Sequence, residues 1–132
     1  MGFRFEFDCA NRILLARVEG RLSDASLAEC YEAIRKYSTS TDAKTGIFEF
    51  SAVSEFAIST ESIRRLARLE PAMPDATERI RIIAVSDTHG FGLARMFQLT
   101  GEPTRPMLQV VHTLDEALAA IGVQSPHFEP LD

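Results

Sequence analysis

Asp87 and His89 have the side-chain types that general acid–base chemistry uses, and they share one short stretch, Ser86-Asp-Thr-His-Gly90. A carboxylate beside an imidazole can fix its tautomer and tune its basicity. The stretch follows an apolar run that reads as a strand, which places it at the carboxyl end of a sheet, where α/β proteins bind ligands. Group transfer there would also need a Ser or Cys nucleophile with a matching third member. The sequence offers none, and Asp-Thr-His-Gly is equally ordinary turn chemistry. His112 precedes a helix cap and His127 lies near the end; together with His89 they show no metal-ligand spacing. The expectation is therefore no catalytic residue, no metal site and no cofactor, with Asp87 and His89 kept as a candidate loop site.

Gly90-Phe-Gly92 looks like a piece of a phosphate-binding loop, but G-x-G-x-x-G would need glycine where Arg95 stands. Close backbone packing at a helix start is the expected role. Cys9 and Cys30 form no CxxC pair or disulfide framework and read as reduced, partly buried thiols. Arg64, Arg65 and Arg68 make a small basic patch on one helix, either a solvated face or half of a protein-docking surface beside Ser59.

These residues sit in a chain of 132 residues, 45% hydrophobic and 25% charged, which suits one globular domain with a sizeable core. The net charge of -5 is spread without a basic tail or stripe, which argues against nucleic acid as a partner. No apolar run approaches the roughly 18 residues of a spanning helix, so no membrane insertion is expected and the protein reads as soluble and cytoplasmic.

The elements follow from periodicity. Phe3, Phe5 and Phe7 alternate with charged residues as a half-buried strand, and residues 13–18 form a second strand antiparallel to it. Ser23 caps a helix that turns Leu27, Tyr31, Ile34 and Tyr37 inward, with a polar exit loop over residues 38–42. Residues 46–50 form a buried strand, and residues 51–58 an irregular loop. Ser59 caps a second helix with Ile63, Leu66 and Leu69 toward the core, and Pro71 and Pro74 end it. Residues 79–85 are nearly all apolar, as a central parallel strand requires. A third helix carries Phe91, Leu93, Ala94, Phe97 and Leu99. A last strand covers residues 107–111, and the capping box of Thr113 and Glu116 opens a closing helix. The predicted order is ββαβαβαβα: one α/β domain over residues 1–123, with a mostly parallel five-stranded sheet, an antiparallel first strand, about four helices and an extended tail over residues 124–132. The first strand leaves an edge that would allow a homodimer.

Glu19-Gly20-Arg-Leu before the first helix, Phe56-Ala-Ile-Ser59-Thr-Glu before the second, and Phe91-Gly-Leu-Ala-Arg-Met-Phe97 with Leu114-Asp-Glu-Ala-Leu118 resemble the SpoIIAA-like (STAS) fold of anti-anti-sigma factors, over roughly residues 3–122. The likeness is nearest to the uncharacterised bacterial branch. In anti-anti-sigma members an Asp-Ser-Ser-Gly motif opens the second helix, and one serine is phosphorylated by a partner kinase. Here Ile58-Ser59-Thr60-Glu61 stands there: the hydroxyls are kept, the aspartate and glycine are not. The resemblance implies a non-enzymatic regulatory module with an unknown protein partner, and Ser59, Thr60, Arg64, Arg65 and Arg68 as phosphoacceptor or partner contacts. The alternative is a domain for a small apolar ligand or lipid, with Phe48, Phe50, Phe56, Phe91 and Phe97 around a pocket of roughly 300 Å³ or more.

Overall fold

The computed structural model describes residues 2–73 and 79–131, so Pro74, named above as a helix terminator, lies outside the described residues. The elements are β1 (Gly2–Asp8), β2 (Ile13–Ser23), α1 (Asp24–Ser40), β3 (Thr45–Ala57), α2 (Thr60–Arg68), β4 (Ile80–Ala84), α3 (Thr88–Thr100), β5 (Leu108–Val111), α4 (Leu114–Ala120) and β6 (Glu129–Pro130). The sheet runs β5-β4-β3-β2-β1-β6. The pairs from β2 to β5 are parallel, while β1 is antiparallel to β2 and β6 is antiparallel to β1.

Both faces of the central strands are covered, which is why their sequences are apolar without alternation. Leu14, Ala16, Val18, Phe48, Ile83 and Val85 belong to the core under α1 and α3, with Leu66 of α2 packed against it. Ile13, Leu15, Ile47 and Ile82 point the other way, onto Ala117 and Leu118 of α4. Leu69, expected to face the core, is instead exposed, as is Leu99 of α3. α1 runs to Ser40, three residues into the expected exit loop.

The expected elements form in the expected order, and the structure differs at two places. The sheet has six strands rather than five, because Glu129 and Pro130 of the extended tail pair with Phe7 and Glu6. They thus occupy part of the edge that β1 would otherwise present. The second difference is β3, which continues to Ala57, so most of the expected loop is strand. The cause lies in β2. It runs on through Gly20 to Ser23 and gives residues 52–57 a parallel partner, with Leu22 opposite Phe56 and Arg21 paired to Glu55. The register shifts on either side of Gly20, whose φ of 84° only glycine adopts without strain.

The β1–β2 turn is organised by Asp8, which is 1% exposed. Its carboxylate accepts from the Asn11 amide (3.1 Å), the Asn11 side chain (2.7 Å) and the His127 amide (3.2 Å), fastening the tail to the hairpin. Burial alone would raise the Asp8 pKa, but the bonds from Asn11 and His127 outweigh it and hold the group below its ordinary value. A carboxylate whose folded pKa is depressed contributes stability above its unfolded value and loses it as pH falls through the folded one. Asp8→Asn is expected to cost about 1–3 kcal/mol near neutral pH in denaturant titrations. The gap to the unaltered protein should begin to narrow below about pH 4, where the unfolded carboxylate takes up its proton, and close as pH falls through the lower folded value.

Candidate functional site

Because β2 and β3 are neighbours and parallel, the helices they feed start side by side. Ser23 lies opposite Ala57 at the end of the ladder. Ser23 is itself the cap of α1, and two residues after Ala57 the chain reaches Ser59, the cap of α2. Ser23 caps α1 through a reciprocal box: its hydroxyl accepts from the Ser26 amide (3.2 Å), and the Ser23 amide donates to the Ser26 hydroxyl (2.9 Å). Ser59 caps α2 by accepting from the Ser62 amide at 3.1 Å.

Asp24, the first residue of α1, bridges the two caps. Its Oδ1 accepts from the Ser59 amide and its Oδ2 from the Ser59 hydroxyl, both at 2.9 Å. The Ser59 hydroxyl therefore donates to Asp24 while accepting from Ser62. The Ser59 amide is the main cause that holds the Asp24 pKa below its ordinary value, slight desolvation works against it, and the hydroxyls of Ser59 and Ser62 and the charge of Arg65 add to the lowering. Two helix N-termini, each with a positive dipole end, thus share one carboxylate.

Ser59 and Thr60 are solvent-exposed, as are Arg64, Arg65 and Arg68. Thr60, Arg64 and Arg68 are four residues apart and lie on one helix face, while Ile63 and Ala67 are buried on the other. The structure thus brings all five residues to one end and one outer face of α2. Glu61 is exposed in the same first turn.

Asp87 and His89 are placed differently. The Asp87 carboxylate caps α3, accepting from the Gly90 amide at 2.8 Å, and His89 is exposed in the first turn. Among the described residues they make no hydrogen bond or ion pair with each other, and no group of three His, Cys, Asp or Glu side chains converges as a metal site would require. Gly90 does pack closely: a Cβ there would come within 2.6 Å of the Phe56 ring, whereas Gly92 faces open space. Cys9 is exposed rather than partly buried, and burial pushes the Cys30 thiol up to about 12.

Between α1, α2, α3 and the sheet lies a cavity of about 120 Å³, below the pocket size expected for a lipid. Of the five aromatic residues singled out in the sequence, Phe48, Phe50, Phe56 and Phe97 line it. Phe91 instead stacks on His112, with ring centroids 4.3 Å apart. Two arginines that sequence reasoning missed, Arg81 and Arg105, also line the cavity, and each is 3% exposed. Arg105 has both terminal nitrogens engaged. It donates to the carbonyls of Leu66 (3.2 Å), Ala67 (2.8 Å) and Leu69 (3.1 Å) at the end of α2 and lies over the Phe97 ring. The Tyr31 hydroxyl accepts from Arg105 (3.3 Å) and donates to the Glu70 carbonyl.

Ser59→Ala removes the α2 cap and is expected to cost about 1 kcal/mol, with faster amide hydrogen exchange at Ser62. Asp24→Ala keeps that cap and should instead speed exchange at the Ser59 amide. Equal protection at both amides in all three proteins would contradict the bridge.

No protein-family model matches the chain, and no curated protein matches it in sequence. Solved structures do. The anti-sigma factor antagonist SpoIIAA in its unphosphorylated form superposes with a TM-score of 0.56 at 14% identity, covering 94% of this chain and 100% of that one. The Bacillus cell fate determinant SpoIIAA in the phosphorylated form gives 0.56 at 18% identity, covering 91% and 99%. An anti-sigma factor antagonist from Mycobacterium paratuberculosis gives 0.52 at 20% identity, covering 90% and 92%. With its sheet order and its helices on two faces, the chain has the SpoIIAA-like (STAS) fold.

Proposed function

We propose that this protein is a non-enzymatic regulatory module of the cytoplasm that docks a protein partner through the N-terminus and outer face of α2. The observation that carries this reading is the Ser59 hydroxyl, exposed at a helix start and held by Asp24. The fold shared with anti-sigma factor antagonists, one of them described in a phosphorylated form, supports it.

The chemistry of a switch follows from the surroundings of that hydroxyl. Phosphoryl transfer from ATP to Ser59 Oγ releases ADP and the hydroxyl proton, and so abolishes the bond donated to Asp24. The new group carries about −1.5 to −2 charges. It faces the free amides and positive dipole end of α2, which favour it, and the carboxylates of Asp24 and Glu61, which repel it. The modification thereby detaches the start of α1 from the start of α2 and reverses the charge beside Arg64, Arg65 and Arg68. A surface that docks an acidic partner through these arginines loses it on phosphorylation. Thr60, on the same face, is the second candidate acceptor. A homodimer is secondary in this reading, since β6 leaves only the start of β1 uncovered.

Pull-down from the native lysate with the full chain, followed by intact-mass analysis, tests the proposal. A protein retained by the unaltered chain should be lost from both Ser59→Asp/Thr60→Asp and Arg64→Ala/Arg65→Ala/Arg68→Ala. The same captured proteins from all three baits would contradict it.

A further inference from the structure

Among the described residues, Arg81 is the one whose buried side-chain nitrogens the fold leaves unanswered. It is 3% exposed, and among the described residues none of its Nε, Nη1 and Nη2 atoms has a hydrogen-bond partner. Buried guanidinium groups are ordinarily paired, because desolvation of an uncompensated charge is costly. The contrast with Arg105 is direct, since that guanidinium is met by the carbonyls ending α2. Burial, followed by repulsion from Arg105, brings the Arg81 pKa down to about 10; Tyr31 opposes the shift and Arg79 adds to it.

The placement of Arg81 follows from strand parity. Arg81 and Ile83 on β4 and Val85 just beyond its end alternate and line the same cavity under α1 to α3, while Ile82 faces α4. In the ladder Arg81 lies between Gly46 and Leu108. Gly46 contributes no side chain there, and the space a Cβ would take is filled by Met73 and Phe48. Apart from Arg105, Tyr31 and Cys30, the rest of the wall is aliphatic and aromatic, with Leu27, Leu66, Phe50, Phe56 and Phe97 among it.

We propose that this cavity binds a small organic monocarboxylate, its carboxylate on the Arg81 guanidinium and its compact apolar body among the aromatic side chains. The planar donor fork matches a carboxylate in two parallel bonds. A phosphate dianion would need further donors, and those of Arg105 are already taken. An uncharged apolar guest would leave Arg81 as it is. Size sets the body. At about 120 Å³ the cavity is slightly smaller than the roughly 150 Å³ apolar cavity that takes benzene. The ligand is therefore a short-chain acid whose body is smaller than a benzene ring, and neither an aromatic acid nor a long-chain lipid fits.

The test uses the full chain, with calorimetry and thermal shift against butyrate and valerate, and with butyramide, butanol and sulfate as controls. Either acid should bind and raise the melting temperature. The neutral analogues should bind about tenfold or more weakly, because the site would reject a group that cannot pair with it. Arg81→Met should fold at an undiminished melting temperature, since an apolar replacement of an unpaired charge is tolerated, and should lose the preference for the acids. Ser59→Ala should bind as the unaltered chain does. No binding of either acid at millimolar concentration, equal binding of butyramide, or binding of sulfate as strong as butyrate would overturn the proposal. So would a strong coupling between Arg81→Met and Asp75→Asn/Glu78→Gln in a double-mutant cycle, because the counter-charge would then come from the chain itself. Should Arg81→Met not fold, the comparison of butyrate with butyramide on the unaltered chain decides alone.

Discussion

The pairing of β2 with β3 is the constraint on which the rest of the molecule depends. Eleven residues of β2 and thirteen of β3 run parallel from Ile13 and Thr45 to Ser23 and Ala57. Parallel neighbours cannot be joined by a tight turn, so α1 must carry the chain back across one face of the sheet. Both strands then end at the same level, and each enters a helix within two residues. Two helix N-termini are thereby forced together, a convergence of positive dipole ends that needs an anion. Asp24 supplies it, and Ser59 is the residue that receives it.

α2 shows how this constraint is answered. It is nine residues long and buries only Ser62, Ile63 and Ala67, too little apolar surface to fix its position by packing alone. Side chains from elsewhere hold both of its ends with charges that complement its dipole. Asp24 meets the first turn, and Arg105 meets the carbonyls of Leu66, Ala67 and Leu69. A helix secured at its ends rather than along its length responds to a change of charge at either end. The cavity reaches both, with Ile58 and Ile63 beside Ser59 and Arg105 at the far end.

The residues announced most of this architecture wherever one local rule sufficed. Ser23, Ser59 and the pair Thr113 and Glu116 are caps in the structure as in the sequence, and the apolar run before Val85 is a central strand. What escaped depended on a partner strand. Residues 51–57 carry too few alternating apolar side chains to read as a strand, and only the prolonged β2 makes them one. The two-residue β6 has no periodicity at all and forms because β1 offers an edge and Asp8 holds the His127 amide. The cap role of Ser59 was legible, but its bond to Asp24 joins residues 35 positions apart and has no local signature. Arg81 left a usable trace: its parity with Ile83 and Val85 places it on a buried face, where an arginine asks for an explanation.

The charge shared between the helix starts is the centre of the account, and Asp24 reports on it directly. Its side-chain carboxyl carbon can be followed by NMR as the pH is lowered, in the unaltered chain and in Ser59→Ala. The account predicts a pKa below the ordinary aspartate value in the first, with the Ser59 amide as the main cause. In the second it should move part of the way back, as the hydroxyl bond is lost and the amide is less firmly held. An Asp24 that titrates at its ordinary value in the unaltered chain, or identically in both proteins, would contradict the claim that Asp24 and Ser59 tie the two helices together.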